Sequence, residues 1–240
     1  MNTTLTIDTN RHCRFSKHSE KAVQSMIIGD YGEAEGQKIW DRACRIYESY
    51  LIDLPYTGAG ENPMWEDLYD SLLVFAWYEA MPEPKIALDE MEARLCRLFT
   101  KMTFPSWLRP GKRTIHCFFS IARGPMFKKI NSHKEAGDWG NNWGVANGTA
   151  DVPDGEQMVL VGCPIAEFAA KHGLQKLMPA LCNVDFSSIG AMNIHLVRPK
   201  TVSMGYPVCD YRIVPKDSDY ARKYPVVRRA DGFLVNGPDD

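Results

Sequence analysis

The sequence lacks the features that mark membrane-spanning or secreted proteins. It contains no apolar run as long as the roughly 18 residues that cross a bilayer, and residues 1–6 lack the apolar core of a secretory signal. The seven cysteines are odd in number and widely spaced, which is typical of free thiols in a reducing compartment and not of a disulfide framework. We therefore expect a cytosolic protein without a membrane partner.

An excess of charge of one sign is also missing. The chain has 28 Lys and Arg residues against 30 Asp and Glu residues, so its composition does not indicate a nucleic-acid partner. The Gly58-Ala59-Gly60 segment has neither a preceding strand nor a following helix, and no Gly-x-Ser-x-Gly elbow is present. These absences favour a small-molecule substrate and no cofactor, and they leave the formation of a homo-oligomer open.

The first part of the chain has helical periodicity. Apolar residues recur at spacings of three and four, which predicts helices at 19–28, 33–51, 65–80 and 86–102. The polar residues 1–16 before them predict a flexible arm.

The rest of the chain alternates between β-branched or aromatic runs and short helical patterns. It predicts strands at 114–122, 142–152, 158–161, 193–197 and 208–214, and short helices at 165–171 and 177–182. Because helices come first and strands later, we predict an α+β fold, with a helical N-terminal half packed on an antiparallel sheet with short helices. We expect one domain over 17–215, helical at 17–103 and mixed at 112–215, followed by a tail at 216–240.

Three cysteines of the last third lie at the ends of predicted elements, and we take them as candidate catalytic residues. Cys163 precedes Pro164, and proline favours the first turn of a helix. A thiol at a helix N-terminus has a lowered pKa, which makes Cys163 our first choice as a nucleophile. The alternative is a buried structural cysteine.

Cys182 and Asp185 are three residues apart and share a face if this segment is helical. That arrangement would place both in one pocket. The alternative is that Asp185 caps the helical turn at 186–188.

Cys209 is followed by Asp210 and Arg212, which alternation along a strand places on one side. These two residues are candidates for substrate binding, and the alternative is an ion pair that holds the sheet. The three cysteines could also share a structural zinc, although none of their spacings is the Cys-x-x-Cys of a zinc finger. The catalytic interpretation needs no metal.

Three further residues are weaker candidates. His195 alternates into the strand before Arg198 and is a candidate acid or base, although a structural histidine is the simpler interpretation. Asn142 and Trp143 belong to a loop rich in Trp, Gly and Asn, which could form the wall of a small-molecule site or only a surface turn.

The segment from Cys163 to Arg212 resembles the L-2-amino-thiazoline-4-carboxylic acid hydrolase family. The resemblance is carried by four pieces, which are Cys-Pro at 163–164 with its helix, Cys-x-x-Asp at 182–185, Arg-x-x-Thr at 198–201 and Cys-Asp-aromatic-Arg at 209–212. Each piece is weak alone, and the set is fairly specific. The chain departs from the family's usual pattern at Pro199 and at 204–207, which bears on the substrate more than on the fold.

The resemblance implies hydrolytic opening of a small sulfur–nitrogen ring, which gives an N-carbamoyl amino acid in the case that names the family. A thiolate could attack the carbon between sulfur and nitrogen, or an aspartate could activate water. Arginines would hold the substrate carboxylate as a bidentate clamp. The implied roles are Cys163 as nucleophile beside Cys182 and Cys209, Asp185 or His195 as acid or base, and Arg198 with Arg212 as the clamp.

We therefore expect a hydrolase of a small cyclic amidine or thiazoline carboxylic acid. Two alternatives stay open. One is a ring-forming or isomerising enzyme of specialised metabolism on the same scaffold, and the other is a non-catalytic small-molecule-binding domain with a structural zinc.

Overall fold

A computed structural model describes residues 7–8, 11–100 and 102–237 of the 240-residue chain. The chain forms two compact units. The first comprises Met1–Ala87 with Ala136–Asn141, and the second comprises Leu88–Glu135 with Asn142–Asp240. Of the arm predicted at 1–16, residues 1–6 and 9–10 lie outside the described part.

Two helices build the first unit. Helix α1 (Lys17–Asp53) is interrupted at Gly32, whose φ of 75° and ψ of 168° lie outside the helical region. The interruption matches the two separate helices predicted at 19–28 and 33–51, since glycine adopts positive φ without steric cost. Helix α2 (Trp65–Ala80) has the predicted bounds and packs against α1 through a fully buried apolar face.

A buried carboxylate fixes the start of α1 on α2. Asp70 is fully buried and accepts hydrogen bonds from the Ser16 N–H at 2.7 Å, the Ser16 hydroxyl at 2.8 Å and the Ser19 hydroxyl at 2.6 Å. Phe15 packs edge-on against Trp40 and Tyr47. The described residues 11–16 of the predicted arm are therefore in contact with this unit.

The second unit begins with helices α3 (Leu88–Phe99), α4 (Lys112–His116) and α5 (Gly124–Ala136), with a π-helix at Cys117–Ala122 between α4 and α5. The strand predicted at 114–122 is therefore wrong. Ile115 and Phe119 are four residues apart, and both pack into a core with Leu196 and Ile213 of the sheet. A short run of β-branched and aromatic residues is compatible with a strand or with a buried helix. Here the run is helical, and its buried residues pack on the sheet.

A four-stranded antiparallel sheet forms the centre of the second unit. Its strands are β1 (Gly144–Asn147), β2 (Glu156–Val161), β3 (Ile194–Val197) and β4 (Val208–Pro215), in the order β1-β2-β4-β3. The predicted α+β class is confirmed, and so is the antiparallel pairing of β3 with β4. The strand predicted at 142–152 is shorter, because only 144–147 pair with β2.

Three short helices connect β2 to β3. They are α6 (Pro164–Lys171), α7 (Met178–Cys182) and α8 (Val184–Ala191). The helices predicted at 165–171 and 177–182 are thus present. The C-terminal part adds α9 (Asp219–Lys223) and a hairpin of β5 (Val227–Arg228) and β6 (Leu234–Val235). Within the described residues, no helix is long and apolar enough to cross a membrane.

The register of the sheet separates the candidate residues onto two faces. Cys209 lies opposite Leu160 and Tyr211 opposite Met158, so these side chains share one face. Arg212 lies opposite Val197, and Asp210 and His195 follow the same alternation on the other face. The single strand β4 therefore contributes residues to two different environments.

Candidate active site

The three late cysteines converge at one end of the sheet. Strand β2 ends at Val161, and Cys163 follows it after Gly162. Cys182 ends α7, and Cys209 lies near the start of β4. The thiols are close enough to act on one another, since both Cys182 and Cys209 contribute to raising the pKa of Cys163. The fold thus brings together residues that are far apart in the sequence.

Cys163 occupies the predicted position at the start of a helix. Helix α6 begins at Pro164, and the Cys163 Sγ accepts a hydrogen bond from the Ala166 N–H at 3.4 Å. The expected lowering of its pKa is not found. Burial raises the pKa of this thiol well above its usual value and outweighs the backbone N–H groups that lower it. Cys163 is therefore a neutral thiol at rest.

The other two thiols have more polar surroundings. Burial raises the pKa of Cys182 to about 11, while the charge of Arg198 and a hydrogen bond with Ser203 act to lower it. The Cys182 Sγ–H donates to the Ser203 hydroxyl at 3.4 Å. The Cys209 Sγ lies 3.0 Å from the Thr201 hydroxyl and accepts the Val202 N–H at 3.3 Å, and burial raises the pKa of this thiol as well.

Asp185 forms the polar centre of this cluster. Its Oδ2 accepts hydrogen bonds from Arg198 Nη1 at 2.7 Å and from the Tyr211 hydroxyl at 2.8 Å. The interpretation of Asp185 as a helix cap is wrong, because α8 begins at Val184 and Asn183 is the cap residue. Asp185 Oδ1 accepts no hydrogen bond from the described residues, so one carboxylate oxygen is anchored and the other is open.

The buried Arg198 side chain forms an ion pair with Asp185. The Arg198 side chain is fully buried, its Nη1 also donates to the Cys182 carbonyl at 2.8 Å, and its Nη2 donates to the Leu234 carbonyl at 3.5 Å. The Phe186 ring lies 4.8 Å from the guanidinium carbon. Burial alone would lower the pKa of Arg198, but the charge of Asp185 raises it on balance, so the guanidinium stays charged.

Asp185 and two of the thiols are partly exposed. The Asp185 side chain is 37% exposed, although burial raises its pKa against the opposing effects of Arg198 and Tyr211. Cys163 and Cys182 are likewise half-buried while burial raises their pKa values. Solvent therefore reaches these groups only in part. We call this group of side chains, Cys163, Cys182, Asp185 and Tyr211, the thiol recess.

Asp210 and Arg212 lie on the opposite face of the sheet. Arg212 donates from Nε at 3.0 Å and from Nη2 at 2.8 Å to Asp210 Oδ2, and its Nη1 donates to the Tyr220 hydroxyl at 2.9 Å. The geometry is that of the ion pair considered as the alternative. A cleft of about 590 Å³ borders Arg212, Tyr220 and Tyr224, and no thiol lines it.

The remaining predicted residues make other contacts. His195 Nε2 lies 3.2 Å from the Tyr224 carbonyl and 3.2 Å from the Asn236 amide, on the face of Arg212. Asn142 and Trp143 are buried, and the Asn142 side chain accepts the N–H of Trp143 at 2.9 Å. Their loop leads into β1 at the sheet end from which Cys163 emerges.

Three residues of the cluster were not predicted as site residues. Tyr211 binds Asp185, Ser203 binds Cys182, and Asn236 accepts the Arg198 N–H at 2.7 Å. Strand alternation places Tyr211 on the face of Cys209, so the signal for Tyr211 was present in the sequence. No local pattern could have indicated Asn236, which lies 38 residues away from Arg198.

A metal centre does not emerge from these side chains. In the part of the chain that the structure describes, no group of three or more His, Cys, Asp or Glu residues is arranged to hold a metal ion.

An α+β domain with thiols, an anchored carboxylate and a buried arginine has the groups that covalent or general-base hydrolysis requires. The comparison with known families gives the same class. The chain belongs to the L-2-amino-thiazoline-4-carboxylic acid hydrolase family, whose model matches residues 66–213 and so includes all four pieces of the predicted pattern. No curated protein and no solved structure matches the chain.

Proposed function

We propose that this protein is a hydrolase that opens a small cyclic amidine or thiazoline by adding water in the thiol recess. The proposal rests on the way in which the Asp185 carboxylate is held. Its Oδ2 is fixed by Arg198 and Tyr211, while its Oδ1 accepts no hydrogen bond from the described residues and the side chain is 37% exposed. A carboxylate with a raised pKa and a fixed orientation is suited to accept a proton.

Cys182 is the nucleophile that we assign. It lies three residues before Asp185, Arg198 Nη1 donates both to the Cys182 carbonyl and to Asp185 Oδ2, and the charge of Arg198 acts to lower the pKa of the Cys182 thiol. The positive charge of Arg198 stabilises a thiolate once the proton has left. Cys163, the first choice from the sequence, is the second candidate for this role.

The proposed covalent reaction has two steps. The Cys182 thiol leaves its hydrogen bond with Ser203 and passes its proton to Asp185 as the sulfur forms a bond to the ring carbon between nitrogen and sulfur. The bond from that carbon to one ring heteroatom breaks, and the heteroatom takes the proton from Asp185. Water then attacks the same carbon, the bond to Cys182 breaks, and the thiol recovers a proton. The net change is the addition of one water.

A related route lets Asp185 activate water directly without a covalent step. The recess supplies the base in both routes, and the two differ in their dependence on the thiol. The ring-forming or isomerising alternative uses the same pocket without a net gain of water, so product mass separates it from hydrolysis.

The test is turnover of 2-amino-thiazoline rings followed by mass spectrometry of the products. We expect the wild type to add one water, Cys182→Ala to lose at least about 100-fold in kcat/KM, and Cys163→Ala to lose much less. Full activity of Cys182→Ala would contradict the thiol role and favour direct activation of water. A product of unchanged mass would contradict hydrolysis.

A further inference from the structure

The ammonium group of Lys134 lies at the end of the sheet where β2 leads into the cysteine cluster. Lys134 belongs to α5, and its Nζ donates to the Asn142 carbonyl at 2.6 Å and to the Val161 carbonyl at 3.2 Å. Val161 is the last residue of β2. An ammonium group has three N–H donors. Two of them therefore hold Lys134 in place on backbone carbonyls, and these carbonyls do not use the third.

Two glycines leave room for this lysine. A Cβ atom added at Gly144 would lie 2.8 Å from Lys134 Cδ, which is closer than such atoms approach in proteins, and one added at Gly162 would lie 3.3 Å from Lys134 Nζ. Cys163 is the residue after Gly162, and consecutive Cα atoms are about 3.8 Å apart. The Lys134 ammonium therefore lies within about 9 Å of the Cys163 Cα.

The charge of Lys134 is not balanced by an acidic side chain. Arg198 and Arg212 each have an aspartate partner, at 2.7 and 2.8 Å. Lys134 has no such partner among the residues that the structure describes. Its side chain is half-buried, and its contact with Val161 is on the exposed side. A cation that is held by neutral carbonyls and reached by solvent is suited to bind an anionic group of a ligand.

The cysteine cluster thus has a cation near one of its members and a carboxylate near another. Lys134 adjoins the residue before Cys163, while Asp185 lies one helical turn after Cys182. Cys163 and Cys182 are close enough to act on each other's charge. A small molecule with a cationic amidine edge for Asp185 and an anionic group for Lys134 would match both charges.

Resting on the proposed function, we propose that Lys134 binds a carboxylate carried by the ring that this protein opens. The third N–H of the ammonium donates to a carboxylate oxygen, which makes Lys134 a specificity-determining residue. Lys134 takes the part that the sequence assigned to Arg198 and Arg212, both of which are already paired with aspartates. The substrate class is a cyclic amidine or thiazoline that carries its acid on the ring or directly beside it.

The experiment compares 2-amino-thiazoline-4-carboxylate with its primary amide, which has nearly the same shape and no charge at that position. The wild type should prefer the acid by at least about tenfold in kcat/KM. Lys134→Met keeps the apolar stem and removes the charge, so kcat/KM should fall by about tenfold or more for the acid and by less than about threefold for the amide. A purely structural lysine would affect both compounds alike, and equal losses would overturn the inference.

Lys128→Met is the matched control, because it removes the same charge from an exposed position on the same helix and should leave the ratio of acid to amide unchanged. Lys134→Gln is a second variant, which lacks the charge but keeps N–H donors for the two carbonyls, should Lys134→Met not fold. It should reduce the preference for the acid in the same way.

Calorimetric binding to the wild type and the variants separates this inference from the proposed function. The acid should bind at least about tenfold more tightly than the amide, and added salt should weaken binding of the acid alone. Binding of the acid that depends on Lys134, without a gain of water, would contradict hydrolysis and leave the anion site standing. Hydrolysis of both compounds without a preference for the acid, or no binding of the acid, would overturn the anion site.

Discussion

Asp185 shows how one side chain can be both anchored and available. The two donors on its Oδ2 come from different elements, Arg198 just after β3 and Tyr211 within β4. Burial raises its pKa, and the two donors act against that effect without cancelling it. Such opposing influences produce a carboxylate that is oriented for catalysis and still basic enough to accept a proton.

The hydrogen bond from Tyr211 to Asp185 leads us to predict how activity depends on pH. If Asp185 is the base that we propose, activity requires its deprotonated form, so the acid limb of kcat/KM should lie above the usual carboxyl range of about 4. The Tyr211 hydrogen bond lowers the pKa of Asp185, and its removal in Tyr211→Phe raises that pKa further. The acid limb of Tyr211→Phe should therefore move to higher pH.

The measurement is a pH–rate profile of the wild type and Tyr211→Phe with the same substrate. Tyr206→Phe is a suitable control, because Tyr206 is 38% exposed and lies outside the recess. An acid limb that stays in place in Tyr211→Phe would argue that Asp185 is not the group that titrates.

Cys163 shows which property of a residue could be predicted from the sequence and which could not. The sequence correctly indicated a helix start at Pro164 with Cys163 before it. The dipole argument predicted a lowered pKa, but the burial of the thiol in the folded protein is not visible in a local pattern. Burial raised the pKa of Cys163 more strongly than its N–H contacts lowered it.

At the scale of elements, strand β4 separates the candidates. Alternation predicted that Asp210 and Arg212 share a side, and they do, as an ion pair. The same alternation places Tyr211 with Cys209 on the other side, where Asp185 lies. Which side faces the thiols depends on the packing of distant helices, and so the sequence alone could not assign it.

The β5–β6 hairpin is an element that supports the recess from outside the family match. The Asn236 side chain just after β6 accepts the Arg198 N–H at 2.7 Å and donates to the Leu196 carbonyl at 2.8 Å and the Tyr224 carbonyl at 3.1 Å. The matched residues end at 213, so Asn236 lies outside the family match.

We expect Asn236→Ala to lower the free energy of unfolding by about 1–3 kcal/mol, because it leaves buried backbone groups without partners. Activity should also fall, since the backbone of Arg198 loses an anchor. Chemical denaturation and kcat/KM measure the two effects. Val227→Ala on the same hairpin is the control, because Val227 is 54% exposed and its loss should cost less than about 0.5 kcal/mol. Equal stability of Asn236→Ala and the wild type would contradict this role of the tail.

At the scale of the whole molecule, the order of elements was sufficient to predict the α+β class. The helices of the first unit follow simple periodicity, and the positions of α2 and of the β3–β4 pair were predicted closely. The error at 114–122 has a physical reason, because Ile115 and Phe119, which are four residues apart, are buried in the core against the sheet. The convergence of three cysteines depends on non-local pairing and could only be left open.

The prediction of one cooperative domain over 17–215 belongs to this scale as well. If it holds, a change confined to the first unit should shift one common unfolding transition. Asp70→Ala removes the acceptor of three hydrogen bonds, and we expect a loss of about 2 kcal/mol or more. Ile52→Ala, at a residue that is 78% exposed, is the control. Two separate transitions, of which Asp70→Ala shifts only one, would contradict the single domain.

The most direct test of the account compares two aspartates that each pair with a buried arginine on opposite faces of one sheet. We predict that Asp185→Asn lowers kcat/KM by about 100-fold or more while the protein stays folded, because the amide keeps the shape but cannot accept a proton. Asp210→Asn should lose stability through its weakened pair with Arg212 and keep activity within about tenfold of the wild type. An active Asp185→Asn beside an inactive, folded Asp210→Asn would contradict the account and place the chemistry on the other face.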